Sequence, residues 1–193
     1  LKGPGVDPKK IKTECFLLPA SATMEKEGSQ SNSGRWIHWK YKAAEAPGDA
    51  LPVGEIWIKI MAAVKELYAK EGGKCAEPIR ALRWNYTDAN GRYDALKVAH
   101  QINGYFEKDT VIEDKAKGSQ TLYKAGSIVP TFGNLADDGS TSSGNWVMAG
   151  SFSAKGENKM AKRGKEDPTG LGLYPNWAFA WPVNRRIIYN RAS

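Results

Sequence analysis

Large apolar side chains follow a helical period in two parts of the chain. Over residues 55–70 they recur every three or four positions, which is the spacing of one helix face. This pattern stops at Gly72 and Gly73, and glycine commonly ends helices. A second helix is predicted over residues 93–106, with its last turn weakened at Gly104. We expect the two helices to pack on each other through Ile56, Ile60, Val64, Leu67, Leu96 and Ile102.

Shorter patterns indicate strands and ordered coil in the rest of the chain. Residues 11–20 are a short apolar run closed by Pro19, which is typical of a buried strand. Residues 35–41 alternate between two faces and predict another strand. Residues 107–152 carry only short strand signals between Gly- and Ser-rich turns, and residues 167–193 are too apolar to be disordered. The predicted fold class is therefore mixed α/β with extensive ordered coil.

The net charge of +7 raises the question of a nucleic-acid partner. The basic residues are spread along the chain, and the dense stretch 155–165 reads more readily as a solvated loop than as a phosphate contact. A basic nucleic-acid-binding module stays open as an alternative, because aromatic residues interleaved with Lys and Arg serve that use. Such a module would leave Trp36, Trp39 and Trp84 exposed, whereas a piece of a larger enzyme would bury most tryptophans.

The histidines and cysteines do not form a catalytic or metal-binding set. His38 and His100 are the only histidines, and neither neighbours a cysteine. Cys15 and Cys75 lie far apart and fit no metal spacing. We expect Cys15 to be a buried free thiol and Cys75 to be exposed. No catalytic residue and no metal ligand is predicted from these residue types.

Two acidic pairs are weak candidates for chemistry. Asp137 and Asp138 suit a hard cation, but an Asp-Asp-Gly turn explains them more simply. Glu25 and Glu27 lie close enough in sequence to act as a general acid and base. A pair of carboxylates in a loop is common without such a role.

A longer motif carries more information than these pairs. The stretch from Cys15 to Trp39 contains a spaced set that resembles molybdopterin-dependent oxidoreductases, namely Glu25, Lys26, Gly28, Asn32 and Arg35. Within that superfamily, Ser33, Arg35, Trp36 and Trp39 resemble the respiratory formate dehydrogenases. The later stretches "NKMAKR", "DPTGLG" and "NWAFAWPVNRRIIYNRAS" are similar to the large subunit of the same enzymes, in the same order. The chain departs from the family at His38, where glutamine is common, and at Gly34, where many relatives are acidic.

The resemblance implies a segment of the catalytic subunit, downstream of its metal-ligating residue. Residues 1–106 would belong to a pterin-flanking α/β domain, and residues 107–193 to an irregular strand and loop segment that leads toward a C-terminal β-barrel domain. The parent enzyme would oxidise formate to carbon dioxide and pass two electrons to iron–sulfur centres. Its cofactors would be bis(molybdopterin guanine dinucleotide) with Mo or W and a 4Fe–4S cluster, none of them ligated wholly within this segment. A related molybdopterin oxyanion reductase is a further alternative.

The same resemblance assigns a scaffold role to a few residues. The expected cofactor-binding residues are Gly28, Asn32, Arg35, Arg185 and Arg186. Arg35 suits an anion because its guanidinium is planar, or else it pairs with a core carboxylate. The implied partners are the rest of the catalytic subunit and an iron–sulfur electron-transfer subunit, with a periplasmic location. Neither nucleic acid nor a direct membrane span is expected, since no apolar run approaches the roughly 20 residues that a membrane helix needs.

Overall fold

The computed structural model describes residues 5, 7–32, 35–114, 118–170, 174 and 176–180. In these residues the helices are α1 Val53–Glu71, α2 Ala76–Ala81 and α3 Ala95–Asn103. The strands are β1 Gly28–Ser31, β2 Trp36–Lys40, β3 Tyr105–Phe106, β4 Thr110–Asp114, β5 Ser119–Tyr123, β6 Thr141–Ser142 and β7 Ala178–Phe179. The predicted mixture of helix, strand and ordered coil is confirmed. The described sheets are small and open, and the division into two domain parts stays a prediction.

The largest described sheet places β2 between β1 and β7, with both pairs antiparallel. The residues of β2 alternate between two faces, as the sequence predicts. Ile37 and Trp39 point into the core and are nearly inaccessible, whereas Trp36 and His38 occupy the opposite face and are half-buried. The segment before this strand contains β1, which pairs Gln30 with His38. A polar edge strand carries no hydrophobic alternation, so its pairing had no signature in the sequence.

The core lies between β2, α3 and the coil around residues 148–161. It is made of Ile37, Trp39, Ala95, Ala99, Phe152, Met160, Ala178 and Ala180. The start of α3 is fixed by Asp94, whose carboxylate accepts hydrogen bonds from the backbone N–H groups of Leu96 and Lys97. Two small residues of α3 face this core, which lets the helix lie close to the sheet.

Asn103, at the end of α3, joins three separate segments through one buried amide. Its Nδ2 donates to the carbonyls of Gly104, at 3.1 Å, and Val129, at 2.9 Å. Its Oδ1 accepts from the backbone N–H of Gly150 at 2.9 Å and, more weakly, from that of Phe152 at 3.4 Å. The side chain is inaccessible to solvent, so these bonds satisfy both of its polar atoms without water.

The helix α1 is confirmed, but its predicted packing is wrong. Its main described helix contact is α2, while α3 packs against β1 and the 3-10 helix Trp146–Met148. Ile60 and Leu67 are therefore exposed, not shared with α3. Helical periodicity identifies an apolar face but does not say which element will cover it. Within the described residues, no helix is both long enough and apolar enough to span a membrane.

Residues 11–19 also differ from their prediction as a buried strand. They lie in no described strand, and only Pro19 and Ser21, at the end of the run, exchange backbone hydrogen bonds with Leu51. Phe16 and Leu17 are 76% and 92% exposed, and Cys15 is exposed as well, contrary to expectation. Cys75 is exposed as predicted. An apolar run becomes a buried strand only where a neighbouring strand pairs with it.

Candidate cofactor-shell site

The hairpin between β1 and β2 holds two of the predicted site residues. The backbone N–H of Arg35 donates to the carbonyl of Asn32 at 2.9 Å, and that of Asn32 donates to the carbonyl of Trp36 at 3.2 Å. Arg35 has a φ of 63°, a left-handed conformation that is uncommon for a residue with a side chain. Backbone conformations of this kind cluster at ligand sites, where surrounding structure holds them in place. Positions 33 and 34 lie outside the described residues.

The Arg35 side chain is half-buried, and its guanidinium makes no ion pair with any described residue. Its backbone is well anchored, because its carbonyl accepts a hydrogen bond from the N–H of Ala180 at 2.8 Å. The alternative of a core carboxylate partner is therefore not found in the described part of the chain. The geometry offers a fixed backbone that carries a planar cation suited to an anionic group.

Gly28, the other predicted site residue that the structure describes, does not lie beside Arg35. Gly28 begins β1 and pairs with Lys40, at the opposite end of the hairpin from Asn32. At about 3.3 Å per residue, Gly28 and Asn32 are about 13 Å apart. A Cβ on Gly28 would meet no described atom within 4 Å, so the fold of this chain does not demand glycine for space there. Arg185 and Arg186 lie outside the described residues.

The outer face of β2 carries an aromatic stack. Trp36 stacks on Trp177 with ring centroids 4.9 Å apart, and Tyr174 stacks on the other side of Trp177 at 4.3 Å. The Arg163 guanidinium lies 6.0 Å from the Trp36 ring and donates hydrogen bonds to the carbonyls of Trp39 and Met160. Trp177 therefore packs on aromatic residues of this chain. The sequence did not predict the contact between Arg163 and Trp39, because the two residues are 124 positions apart.

Two polar atoms on this face are buried without a hydrogen-bond partner among the described residues. They are Trp36 Nε1 and His38 Nδ1, on rings whose centroids are 5.0 Å apart. Buried polar groups of native proteins are nearly always satisfied, so such a pair indicates a missing partner. Arg35 directly precedes Trp36 and has no ion-pair partner among the described residues, so this group of side chains fits a polar, anionic ligand.

A cavity of about 460 Å³ opens beside this stack, against the basic stretch 155–165. It is lined by Lys159, Lys162, Trp177, Glu157 and Glu166, among others. Burial lowers the pKa of the Lys159 ammonium below its ordinary value. The expectation of a solvated loop therefore fails for Lys159 and Arg163, because one is partly buried and the other is bonded to the sheet.

The two acidic pairs serve the local fold. Glu25 accepts from the backbone N–H of Ala22 at 2.7 Å, and Glu27 accepts from Trp39 Nε1 at 2.6 Å. Asp138 accepts from the backbone N–H of Ser140 at 2.8 Å, which is the turn role favoured by the sequence. Hydrogen bonds from the side chain and then the backbone of Ser140 lower the pKa of Asp138. The structure provides no support for Glu25 and Glu27 acting as an acid and base pair.

His100 makes the stability of the core sensitive to pH. Its ring packs edge-on against Phe152, 4.4 Å between centroids, and burial lowers its pKa below the ordinary 6.5. The unfolded chain therefore binds this proton at a higher pH than the folded chain. We expect the free energy of unfolding to fall as pH drops from above 6.5 toward the folded pKa. Chemical denaturation at several pH values checks this, and His100→Gln should flatten the dependence; an unchanged slope in that variant contradicts it.

Comparison with known proteins finds formate dehydrogenase subunits that align with essentially the whole chain. It is 47% identical over 196 aligned residues to the formate dehydrogenase subunit alpha of Megalodesulfovibrio gigas, covering all of this chain and 19% of that protein. It is 46% identical to the formate dehydrogenase 2 subunit alpha (cytochrome c-553) of Nitratidesulfovibrio vulgaris, again over the whole chain and 18% of that protein. The nitrate-inducible formate dehydrogenase major subunit of Escherichia coli K12 is 43% identical over 97% of the chain and 18% of its own length. No family model matches the chain.

The relatives of this chain are therefore alpha and major subunits of formate dehydrogenases. The chain is homologous to a segment of these subunits and spans about a fifth of their length. The nucleic-acid-binding alternative is not supported, because its three diagnostic tryptophans are not exposed. Trp39 is buried, and Trp36 and Trp84 are half-buried.

Proposed function

We propose that this chain is part of the scaffold around the pterin cofactor in a formate dehydrogenase that oxidises formate to carbon dioxide. The observation that carries the proposal is identity of 42% to 47% to formate dehydrogenase catalytic subunits along essentially the whole chain. The cofactor would be bis(molybdopterin guanine dinucleotide) with Mo or W, which supplies the two-electron redox chemistry. The electrons would pass to a 4Fe–4S cluster and an iron–sulfur subunit, in a periplasmic enzyme.

The residues of this chain would bind and orient, without touching the reacting bond. Arg35 would pair with an anionic part of the pterin nucleotide, and Asn32 would hydrogen-bond its edge, with Gly28, Arg185 and Arg186 as further contacts. The orphaned polar atoms of Trp36 and His38 support this role, because a bound polar group would satisfy them. The aromatic stack of Trp36 and Trp177 would keep water away from that side of the sheet.

Activity tests the proposal at the level of the whole subunit. The full-length catalytic subunit that contains this sequence, purified with its metal and pterin, should reduce a dye with formate. The 193-residue chain alone should be inactive, since its histidines and cysteines supply no Cys-His pair to ligate the metal. A full-length, metal-loaded subunit that does not oxidise formate would refute the proposal, and formate-dependent dye reduction by the short chain would refute the scaffold role.

Arg35→Ala in the full-length subunit tests the cofactor contact. We expect roughly a tenfold to hundredfold weaker retention of the pterin nucleotide, because a charge-assisted hydrogen bond contributes about 1.5–3 kcal/mol. The measurement is the pterin and metal content after dialysis against a chelator. Arg83→Ala is the matched control: Arg83 makes a surface ion pair with Glu107 at 3.5 Å, and such pairs contribute little. Equal cofactor content in both variants would mean that Arg35 does not bind the cofactor.

A further inference from the structure

The helix α1 buries one charged side chain and exposes several large apolar ones. The one buried residue of the helix is Glu55, whose carboxylate accepts hydrogen bonds from Arg92 Nε at 2.9 and 3.0 Å. Large apolar side chains of the same helix are exposed instead: Val53 at 41%, Trp57 at 59%, Ile60 at 38% and Leu67 at 54%. Soluble helices usually show the reverse arrangement.

The exposed residues share one narrow arc of the helix. Steps of four, three and seven positions separate Val53, Trp57, Ile60 and Leu67, so at 3.6 residues per turn they fall within about 80°. Val64, which is half-buried, continues the same line between Ile60 and Leu67. We call these five residues the α1 seam. Alternating steps of four and three are the spacing by which one helix packs along another.

The helix α2 contacts α1 in the C-terminal half of α1. There Lys65 Nζ donates to the carbonyl of Leu82, just after α2, at 2.7 Å. That contact leaves Trp57 and Leu67 more than half exposed. A contiguous apolar strip of this kind on a soluble protein is typical of an interface.

The length of the related proteins indicates what covers the α1 seam. This chain corresponds to 18% or 19% of their length, so about four-fifths of such a subunit lies outside it. Those residues are tethered to α1 in the same polypeptide, and a tethered partner has a high effective concentration. A seam with four-three spacing is complementary to a second helix that has apolar residues at the same spacing.

We infer that the α1 seam is the docking surface for an apolar helix from another part of the same catalytic subunit. This inference rests on the proposed function, since it takes the full subunit as the setting. In this arrangement α1 forms an interface inside the subunit. That interface fixes the position of the β1–β2 hairpin and its surroundings relative to the rest of the enzyme. The ion pair between the buried Glu55 carboxylate and the exposed Arg92 guanidinium holds the first turn of α1 in place.

Thiol labelling of the full-length, metal-loaded subunit tests the burial. Leu67→Cys places a thiol in the seam, and Ala62→Cys places one on an exposed part of α1 about 140° around the helix. With maleimide and peptide mass spectrometry, we expect Leu67→Cys to react at least about 100-fold more slowly in the native enzyme than after denaturation. A native rate within about threefold of the denatured rate overturns the inference. Ala62→Cys should show much less protection, which makes the protection specific to the seam.

A second measurement keeps the inference testable if Leu67→Cys does not fold. Hydroxyl-radical footprinting of the unaltered enzyme should leave Trp57 unoxidised in the native state and oxidised after denaturation. A photo-crosslinking amino acid at position 57 should then link to a peptide of the same subunit outside these 193 residues. A crosslink to a second copy, to another subunit or to lipid contradicts the inference. Formate oxidation measured on the same preparation separates the two claims, because its absence refutes the proposed function and leaves the protection result standing.

Discussion

Asn103→Asp should lower the free energy of unfolding of this chain by about 3–5 kcal/mol, the range for an uncompensated buried charge. The change is nearly isosteric, so packing is preserved. It replaces an N–H₂ group that donates to the carbonyls of Gly104 and Val129 with an oxygen that repels them. Because the side chain is inaccessible to solvent, water cannot compensate. Chemical denaturation at neutral pH measures the loss, which should shrink at acidic pH as the new carboxyl group takes up a proton.

Asn145→Asp is the matched control for this substitution. Asn145 is exposed and uses only its Oδ1, which accepts from the backbone N–H of Val147 at 3.3 Å. Aspartate keeps that acceptor, and cap positions tolerate either residue. We expect a change of less than about 0.5 kcal/mol. Similar losses in both variants would mean that the buried amide network of Asn103 is not what stabilises this part of the core.

Gly104→Ala should lower the free energy of unfolding by about 2–5 kcal/mol, from backbone strain and overpacking together. Gly104 has a φ of 108°, in a region that side chains avoid. A Cβ there would lie 2.7 Å from the carbonyl oxygen of Ser142 and 2.9 Å from the Cβ of Ser143. The clash falls where β3 and β6 pair directly after α3, so the strand pairing must shift. Thermal or chemical unfolding of the variant measures the effect.

Gly126→Ala separates the two causes of that loss. Gly126 has a φ of 82°, but a Cβ there would meet no described atom within 4 Å. It should therefore show only the backbone cost, about 1–2 kcal/mol. If Gly104→Ala is no more destabilising than Gly126→Ala, the close approach of Ser142 does not contribute.

Local chemistry was sufficient to predict several parts of the fold. The alternation around Ile37 and Trp39 predicts β2, and the helical period predicts α1 and α3 with ends that differ from the structure by a few residues. These features depend on residues within one or two turns, or on neighbouring positions of one strand. The family resemblance could also be drawn from the sequence, because long stretches of unusual composition carry it.

The candidate site could be predicted only in part. The sequence singles out Arg35 and Asn32, and the structure joins them in one turn. The left-handed backbone of Arg35, and the stacking of Trp177 on Trp36, depend on contacts with segments more than 140 positions away. No local pattern encodes such contacts, so the sequence alone does not predict these features.

The sequence by itself determined α1, α3 and β2, and which family the chain resembles. Only the tertiary structure decided which faces are covered. The apolar run at Phe16 and Leu17 reads as core but is exposed, and Trp57 and Leu67 of α1 are exposed while its Glu55 is buried. Asn103, a polar residue at a helix end, is fully buried and joins separate segments through its amide. The physical reason is that hydrophobicity drives burial without direction, whereas the partner that provides burial is set by contacts distant in sequence.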